Sequence, residues 1–221
     1  MSPAVPKKFR PSTMETRVAI IEAAERLFAN DGIEAVSMRT ISDAAGQRNI
    51  SSVQYHFTDR MGLLTAIFEY REGEMDKARA KLLAVAREHQ HLSDVRWLLR
   101  VMYYPEFRHA FDNDGLAYVR LHAQYLANLR PRGILHPVDY DSPSTIAYRE
   151  AIGLLRQKLN FLTAEQFTMR LEATGAMYLG ALIQYGTRPD ADAEHLPSLF
   201  ETLLEMIAVA ITVPPWDFSE M

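Results

Sequence analysis

The chain has 221 residues, of which 48% are hydrophobic and 24% are charged, a composition typical of a folded protein with a full core. It contains no cysteine, which excludes disulfides and thiolate metal sites and suits a reducing cytosol. The net charge of −4 taken alone argues against nucleic acid as a partner, and no apolar run approaches the roughly 20 residues of a membrane-spanning helix.

The charge is unevenly distributed along the chain. Residues 1–60 carry eight Lys and Arg against seven Asp and Glu, while the remainder carries 16 against 21, so a head of charge +1 precedes a body of charge −5. A weakly basic head on an acidic body is consistent with a small module that binds a polyanion. Lys7, Lys8 and Arg10 indicate a flexible basic arm over residues 1–11, or equally a solubilising tail. These residues are not followed by the apolar segment of a secretion signal, so the sequence does not predict one here.

The hydrophobic pattern of the head predicts helices and no β-strand. The first helix lies in STMETRVAIIEAAERLFANDG, and the turn at its end contains Gly32. The second lies in SMRTISDAAG, with Ser37 as its N-cap and Gly46 as the residue that ends it. A short third helix lies in NISSVQYHF, and a long fourth helix follows, capped by Thr58 or Asp59 and running to about His89.

The second and third predicted helices, joined by a glycine turn, fit a helix-turn-helix over residues 12–60. In this motif the outer face of the second helix reads DNA, where amides can pair with adenine, hydroxyls bond bases or phosphates, and arginines add charge at the flanks. Arg48 and Asn49 are equally good candidates for capping the third helix, and Tyr55 for packing against the first. The candidate DNA-contacting residues are Ser37, Arg39, Arg48, Asn49, Ser51, Ser52, Gln54, Tyr55, His56 and Arg60.

The segments AAERLFANDGIEAVSMRTISDAAG and YHFTDRMGLL, in this order and spacing, resemble the N-terminal domain of the TetR family of transcriptional regulators. The resemblance covers about residues 15–70, and beyond them it implies architecture only. It implies that residues 47–57 hold the recognition helix and that the body forms a homodimer with an effector pocket. It also implies DNA-contacting positions for Ser37, Arg39, Ser52, Gln54, Tyr55, His56 and Arg60.

Two features of the motif depart from the family pattern. The turn GQRNISS is one residue longer than the usual GVSxGT form, which leaves the register of base contacts from Gln47 to Ser51 open. Gln54 stands where the family commonly has a tyrosine, so an amide that can read a base replaces a phenol that binds phosphate.

The body, residues 61–221, is also predicted to be helical. A helix in SDVRWLLRVMYY is expected to end at Pro105, followed by one around FRHAF and another through GLAYVRLHAQYLANL. After a turn-rich loop, three helices are predicted at about 144–161, 163–187 and 195–212. The fold class is therefore all-α, with a three-helix head joined by a long fourth helix to a larger effector-binding and dimerisation domain.

The middle helices of the body are rich in amphipathic aromatic residues. Apolar walls with a few polar tips suit a small-molecule pocket, although any helical core uses the same residues. No charged pair among them indicates the charge of a ligand. The candidate ligand-binding residues are Trp97, Met102, Tyr103, Phe107, Phe111, Tyr118, His122, Tyr125 and Tyr178.

The last two predicted helices are candidates for a dimer interface. EATGAMYLGALIQYG carries small residues that permit close helix approach, and LPSLFETLLEMIAVAIT has a broad apolar face. This pair can bury itself against a second copy in a four-helix bundle, or it can belong to the core of a monomer. The candidate interface residues are Ala176, Leu179, Gly180, Ile183, Leu199, Leu203 and Ile207.

Together these patterns predict a cytoplasmic, ligand-responsive repressor that binds a palindromic double-stranded DNA operator as a homodimer. An unknown small-molecule effector would release it, with no membrane, cofactor or metal involved. The alternatives are a helical enzyme, although H-E-x-x-H, G-x-S-x-G and phosphate-binding glycine motifs are absent from the sequence, or a protein-interaction adaptor. Strongly salt-dependent binding to a palindromic duplex separates the DNA reader from both.

Overall fold

The structure, a computed structural model, describes residues 13–47, 50–112, 115–189 and 191–215. Within these ranges it contains nine α-helices, several short 3-10 turns and no β-strand, which confirms the all-α prediction. The chain divides into two compact units, with the boundary between Ile67 and Phe68. The predicted basic arm of residues 1–11 lies outside the described residues.

The first unit contains α1 (Thr13–Asp31), α2 (Met38–Ala44) and α3 (Ile50–His56). Gly32, at φ +90°, follows the last residue of α1, and Gly46, at φ +67°, lies in the turn between α2 and α3. Both residues have the left-handed conformation that glycine adopts without a steric penalty. The predicted helix ends at these two glycines are therefore confirmed.

The fourth helix, α4, spans Arg60–Glu88 and crosses the boundary between the two units. Asp59 caps it, since its carboxylate Oδ1 accepts a hydrogen bond from the backbone N–H of Gly62 at 2.8 Å. At the first residue of α4, Arg60 Nη2 donates a hydrogen bond to the backbone carbonyl of Val36 at 3.0 Å. This bond ties the start of α4 to the residue before the N-cap of α2.

The second unit is a bundle in which α6 packs against α8, α5 packs against α7 and α9, and α8 packs against α9. A segment of three short 3-10 turns joins α6 to α7. The bundle helices are α5 (Val95–Phe111), α6 (Leu116–Asn128), α7 (Ile146–Lys158), α8 (Ala164–Gly186) and α9 (Leu196–Thr212).

Pro105 does not end a helix, in contrast to the sequence prediction. It lies buried inside α5, which continues to Phe111 and includes the segment expected to form a separate helix. The proline lacks the N–H that would bond the carbonyl of Val101, a loss that costs about 3 kcal/mol in an isolated helix. The hydroxyl of Tyr178 on α8 donates to the carbonyl of Tyr103 at 2.9 Å, so contacts with other helices support α5 near the proline.

Residues Ala193–Thr212, which include α9, are long and apolar enough to cross a membrane by length and composition, with a mean hydropathy of 1.3. The sequence-based prediction that no run of this length is present is therefore wrong for this segment. Length and composition alone are weak evidence for one helix, because core helices of globular proteins also meet these criteria. One face of α9 packs into the bundle core through Phe200, Leu203, Leu204 and Ile207.

Candidate nucleic-acid interface and ligand cavity

The third helix presents uncharged polar side chains on its outer face. Val53 is fully buried and holds α3 in the first unit, whereas Gln54 is exposed and Tyr55 is 80% exposed. Ser51 and Ser52 lie in α3, but their side chains are outside the described part of the structure, as are Arg48 and Asn49 entirely. The outer face of α3 can therefore offer an amide and a phenol to a partner.

His56, at the end of α3, is partly buried against its neighbours. Its ring lies 5.2 Å from that of Tyr55 in an edge-on arrangement, and Arg17 stacks over the adjacent Phe57 ring at 4.9 Å. Burial, and then the positive charge of Arg17, lowers the pKa of His56 from its usual value of 6.5. At neutral pH the imidazole is therefore a neutral donor or acceptor of hydrogen bonds.

The three flanking candidates differ in how far the fold already uses them. Ser37 caps α2, since its hydroxyl accepts from the backbone N–H of Thr40 at 3.1 Å. Arg60 is partly buried and its guanidinium donates to Val36, as described above. Arg39 is exposed on α2. Among the described residues of the motif, Arg39 thus offers an accessible positive charge, while Ser37 and Arg60 hold the geometry of the motif.

A cavity lies inside the second unit and leaves about 680 Å³ free of protein atoms, part of it continuous with solvent. Apolar and aromatic side chains from α5 to α8 form most of its wall, including Ile152 and Leu171. Five of the predicted ligand-binding residues line it, namely Met102, Tyr103, His122, Tyr125 and Tyr178.

The other four predicted residues do not line this cavity. Tyr118 is fully buried, and Trp97 stacks on His91 with a ring separation of 5.1 Å. Phe107 and Phe111 contact each other at a separate surface depression. Their positions on α5 and α6 point these aromatic rings into other parts of the bundle, a direction that the sequence pattern did not reveal.

The polar end of the cavity contains a buried ion pair that the sequence analysis missed. Arg79 Nη1 donates to Glu72 Oε2 at 2.7 Å, and both side chains are only 3% exposed. Glu72 Oε1 accepts from the Tyr118 hydroxyl at 2.8 Å. Burial, the largest single cause, would raise the pKa of Glu72. The charge of Arg79, the two nearby histidines and the Tyr118 bond together outweigh it and lower this pKa to about 2.

A second buried pair joins Glu106 and His122, with Oε1 and Nδ1 2.8 Å apart. Burial alone would lower the pKa of His122, but the carboxylate of Glu106 raises it above 6.5. The rings of His122 and His136 lie parallel, with centroids 5.3 Å apart. Arg130 and Glu172, whose Nε and Oε1 atoms are 2.6 Å apart, also line the cavity. Three pairs of oppositely charged or protonatable groups and a stacked imidazole pair therefore line this cavity.

His136 is held by the loop between α6 and α7. Its backbone N–H donates to Asp139 Oδ2, and its Nδ1 accepts from the N–H of Val138. Arg130 fixes Asp139 in turn with two hydrogen bonds of 2.8 and 3.0 Å. Burial is the main cause that lowers the pKa of His136 to about 3, and its buried Nε2 has no hydrogen-bond partner.

The sequence contained a recognisable signal for only some of the polar residues that line the cavity. Glu72 and Arg79 lie seven residues apart on α4, on the face that also buries Met75 and Leu83. Two charges at the buried positions of a helical stripe indicate a paired polar site. His136 belongs to a turn-rich loop, and no sequence pattern distinguished it.

The candidate interface residues fall into two groups. Ala176 is exposed, and Gly180, Ile183 and Leu199 are partly exposed. Leu179, Leu203 and Ile207 are at most 4% exposed because they pack in the core of the bundle itself, and Leu179 also lines the cavity. These three side chains pack against helices of their own chain, and the assignment of the interface stays a prediction.

Among the described residues, no cluster of three or more His, Asp or Glu side chains could hold a metal ion.

Comparison with known proteins covers both units. Residues 20–67 match the family model described as bacterial regulatory proteins, tetR family. A stretch of 69 residues is 32% identical to the HTH-type transcriptional regulator AcrR of Shigella flexneri, and it covers 31% of this chain and 32% of that protein. The chain thus spans about a third of the length of this curated relative.

Solved structures resemble the chain along most of its length. A TetR family transcription regulator from Marinobacter aquaeolei VT8 is 18% identical, covers 89% of this chain and 95% of its own, and superposes with a TM-score of 0.55. A Rhodococcus protein assigned to the TetR family of transcriptional regulators is 19% identical over 90% of this chain and 99% of its own, with a TM-score of 0.51. At these identities the likeness is one of fold.

Proposed function

We propose that this chain, whose N-terminal domain belongs to the TetR family and whose fold is that of TetR-family regulators, is a ligand-responsive repressor. It would act in the cytoplasm, away from membranes and without enzymatic activity, as a homodimer on a palindromic DNA operator. The observation that carries this proposal is the coincidence of the family match at residues 20–67 with the helix-turn-helix formed by α2 and α3.

The geometry of the first unit supports a division of roles in DNA binding. The exposed amide of Gln54 can make paired hydrogen bonds to an adenine in the major groove. The exposed Arg39 and Tyr55, with the neutral His56, can bind phosphate oxygens and set the register of the helix on the duplex. We expect Arg48, Asn49, Ser51 and Ser52 to complete the base contacts across the longer turn.

A dimer interface is proposed on the outer faces of α8 and α9. Met206 and Val209 on α9 are 49% and 63% exposed, although both are large apolar residues. Ala173 and Ala176 are exposed on α8 and permit close approach of another helix. Two copies of this pair would form a four-helix bundle, which can place two recognition helices about 34–36 Å apart on a palindrome.

The dimer proposal is tested by two valine variants in the full chain. Val209→Glu should give a monomer in sedimentation velocity and lose most operator affinity, because a charge would be buried in the interface. Val85→Glu, at another exposed valine on α4, should leave the dimer intact. A dimer that survives Val209→Glu would place the interface elsewhere.

Effector release would act through α4. This helix begins at Arg60, which bonds Val36 beside the helix-turn-helix, and it contributes Glu72 and Arg79 to the cavity. A ligand that favours one position of α4 would shift the population away from the conformation that fits the operator. The coupling free energy between two such sites is typically about 1–3 kcal/mol, and the operator would lower the affinity for the ligand by the same factor by which the ligand lowers the affinity for the operator.

Selection of bound duplexes from a random pool tests DNA binding. We expect a palindrome whose half-sites lie about 10 base pairs apart, bound with an affinity that falls steeply as salt rises. Recovery of no preferred sequence would refute the proposal.

Matched variants then assign roles to individual side chains. Gln54→Ala should cost about 1–3 kcal/mol of binding and relax the preference at one base pair, whereas Asn30→Ala, at an exposed amide on α1, should change neither. Arg39→Ala should weaken binding to all sequences and lower the salt slope by about one unit, whereas Arg26→Ala, an exposed arginine on α1, should not.

A further inference from the structure

The polar end of the cavity is electrically compensated. Glu72 faces Arg79, and Glu106 faces His122, so each carboxylate has a cationic or protonatable partner within hydrogen-bond distance. A ligand with a formal charge would have to enter a poorly hydrated space in which these charges are already paired. It would lose its own hydration without finding a free counter-charge. This arrangement favours an uncharged ligand.

Two buried donors at this end, Arg79 Nε and His136 Nε2, lack an acceptor. His136 Nδ1 accepts the N–H of Val138, so the proton of the neutral imidazole is on Nε2. Nε2 is buried, has no hydrogen-bond partner, and belongs to a side chain that lines the cavity and is 5% exposed. A buried N–H group left without a partner costs about 1–3 kcal/mol, which a ligand can recover by supplying an acceptor.

An acceptor oxygen lies just beyond reach of this donor. His136 Nε2 is 3.9 Å from Glu72 Oε1, too far for a hydrogen bond between them. Glu72 Oε1 accepts one bond from Tyr118 and has a second lone pair available. Because the two atoms are only 3.9 Å apart, a single oxygen placed between them would be within hydrogen-bond distance of both. That oxygen must accept from the imidazole and donate to the carboxylate.

A hydroxyl group satisfies both requirements, whereas other common groups fail at least one. A carbonyl or ether oxygen accepts but cannot donate, and an ammonium donates but cannot accept. A carboxylate would bring a second negative charge beside Glu72. The remaining wall is mostly aromatic and apolar, with Tyr103, Tyr178 and Ile152 among its residues, and its charged residues Arg130 and Glu172 are paired with each other.

We propose that the cavity binds a neutral aromatic molecule through a hydroxyl group that accepts from His136 Nε2 and donates to Glu72 Oε1. This inference rests on the proposed function, since it names the class of the effector. The rest of the molecule packs against the tyrosine and aliphatic wall, and the hydroxyl fixes its orientation.

Four probes on one ring system test the ligand class with the full-length protein. They are naphthol, its methyl ether, naphthoate and naphthylmethylammonium, each substituted at the same ring position, with dissociation constants measured by titration calorimetry. Naphthol should bind about tenfold more tightly than the methyl ether, which keeps the acceptor but loses the donor. Both charged probes should bind at least about tenfold more weakly than naphthol. Equal binding of the ether, tighter binding of either ion, or no binding of any probe would overturn the proposal.

Two variants locate the hydroxyl contact. His136→Phe should lower the affinity for naphthol about tenfold and should also weaken the methyl ether, whose oxygen still accepts from Nε2. Ile152→Val, which trims the apolar wall, should lower the affinity for both by the same small factor. Unchanged naphthol binding by a folded His136→Phe variant, with circular dichroism as the check, contradicts the assignment. If that variant does not fold, the ranking of the four probes decides.

The two proposals can fail separately. Operator binding is measured without any probe, so its absence counts against the repressor function and leaves the probe ranking valid. A wrong ranking with intact operator binding counts only against the hydroxyl class.

Discussion

The buried pair of Glu72 and Arg79 gives the most quantitative prediction about the second unit. Arg79→Met would leave the Glu72 carboxylate buried without its cation, and such a loss costs about 3–5 kcal/mol. The depressed pKa of Glu72, about 2 compared with 4.5, gives a similar figure of about 3 kcal/mol at neutral pH. Glu72→Met, which leaves the Arg79 guanidinium unpaired, should cost a comparable amount.

The double variant Glu72→Met/Arg79→Met distinguishes the pair from two independent contacts. Replacing both charges with apolar side chains of similar volume removes the desolvation cost as well as the attraction. We therefore expect the double variant to be more stable than either single variant. Arg108→Met is the matched control on α5, because the exposed pair of Arg108 and Asp112 should contribute less than about 1 kcal/mol.

Urea denaturation, followed by circular dichroism at several pH values, measures these differences. Because the pKa of Glu72 is lower in the folded state, its contribution is complete above pH 4.5 and is lost as the pH falls towards 2. Glu72→Met should flatten the pH dependence of the free energy of unfolding in that interval. A double variant that loses the sum of the two single losses would refute the reasoning, since it would show that the two side chains are not coupled.

Three further predictions concern single residues and are measured by the same denaturation assay. Gly115→Ala would place a Cβ atom 1.6 Å from the backbone carbonyl oxygen of His109 and should lower the free energy of unfolding by about 3 kcal/mol or more. Gly153→Ala, inside α7 with open space around it, should raise the free energy of unfolding by about 0.5–1 kcal/mol. Thr163→Ala should cost about 1 kcal/mol through loss of the cap of α8, and a serine at this position should retain most of it. The pKa of His136 is about 3 in the folded state, so between pH 6.5 and 3 the unfolded chain binds a proton that the folded chain does not. The free energy of unfolding should therefore fall by about 1.4 kcal/mol per pH unit over this interval, and His136→Phe should abolish this dependence. A Gly115→Ala variant as stable as the parent, a Thr163→Ala variant without loss, or an unchanged pH profile would each contradict the corresponding contact.

The first unit could be predicted well from sequence because its boundaries depend on local signals. Ser37 caps α2, and Gly32 and Gly46 adopt left-handed conformations at the predicted turns. Each of these signals acts within a few residues of the backbone that it shapes. The helix-turn-helix therefore follows from the sequence without knowledge of distant contacts.

The second unit depends on contacts between helices, and there the sequence prediction was less accurate. Pro105 is a local helix-ending signal that tertiary packing overrides, since the residue is buried within a bundle supported from α8. The direction of each aromatic ring likewise depends on how the helices pack. Sequence periodicity could not distinguish Tyr178, which lines the cavity, from Phe107, which packs elsewhere.

The clearest conflict between sequence pattern and structure occurs on α4, and it coincides with the candidate ligand site. The buried face of this helix would be an ordinary apolar stripe if Glu72 and Arg79 were not part of it. A charged residue at such a position opposes folding unless a partner is supplied, and here the two charges supply each other while Tyr118 adds a hydrogen bond. Apolar residues at both positions would give a simpler core of equal or greater stability. Stability therefore does not explain the presence of these charges, whereas recognition of a polar group at the end of an aromatic cavity does.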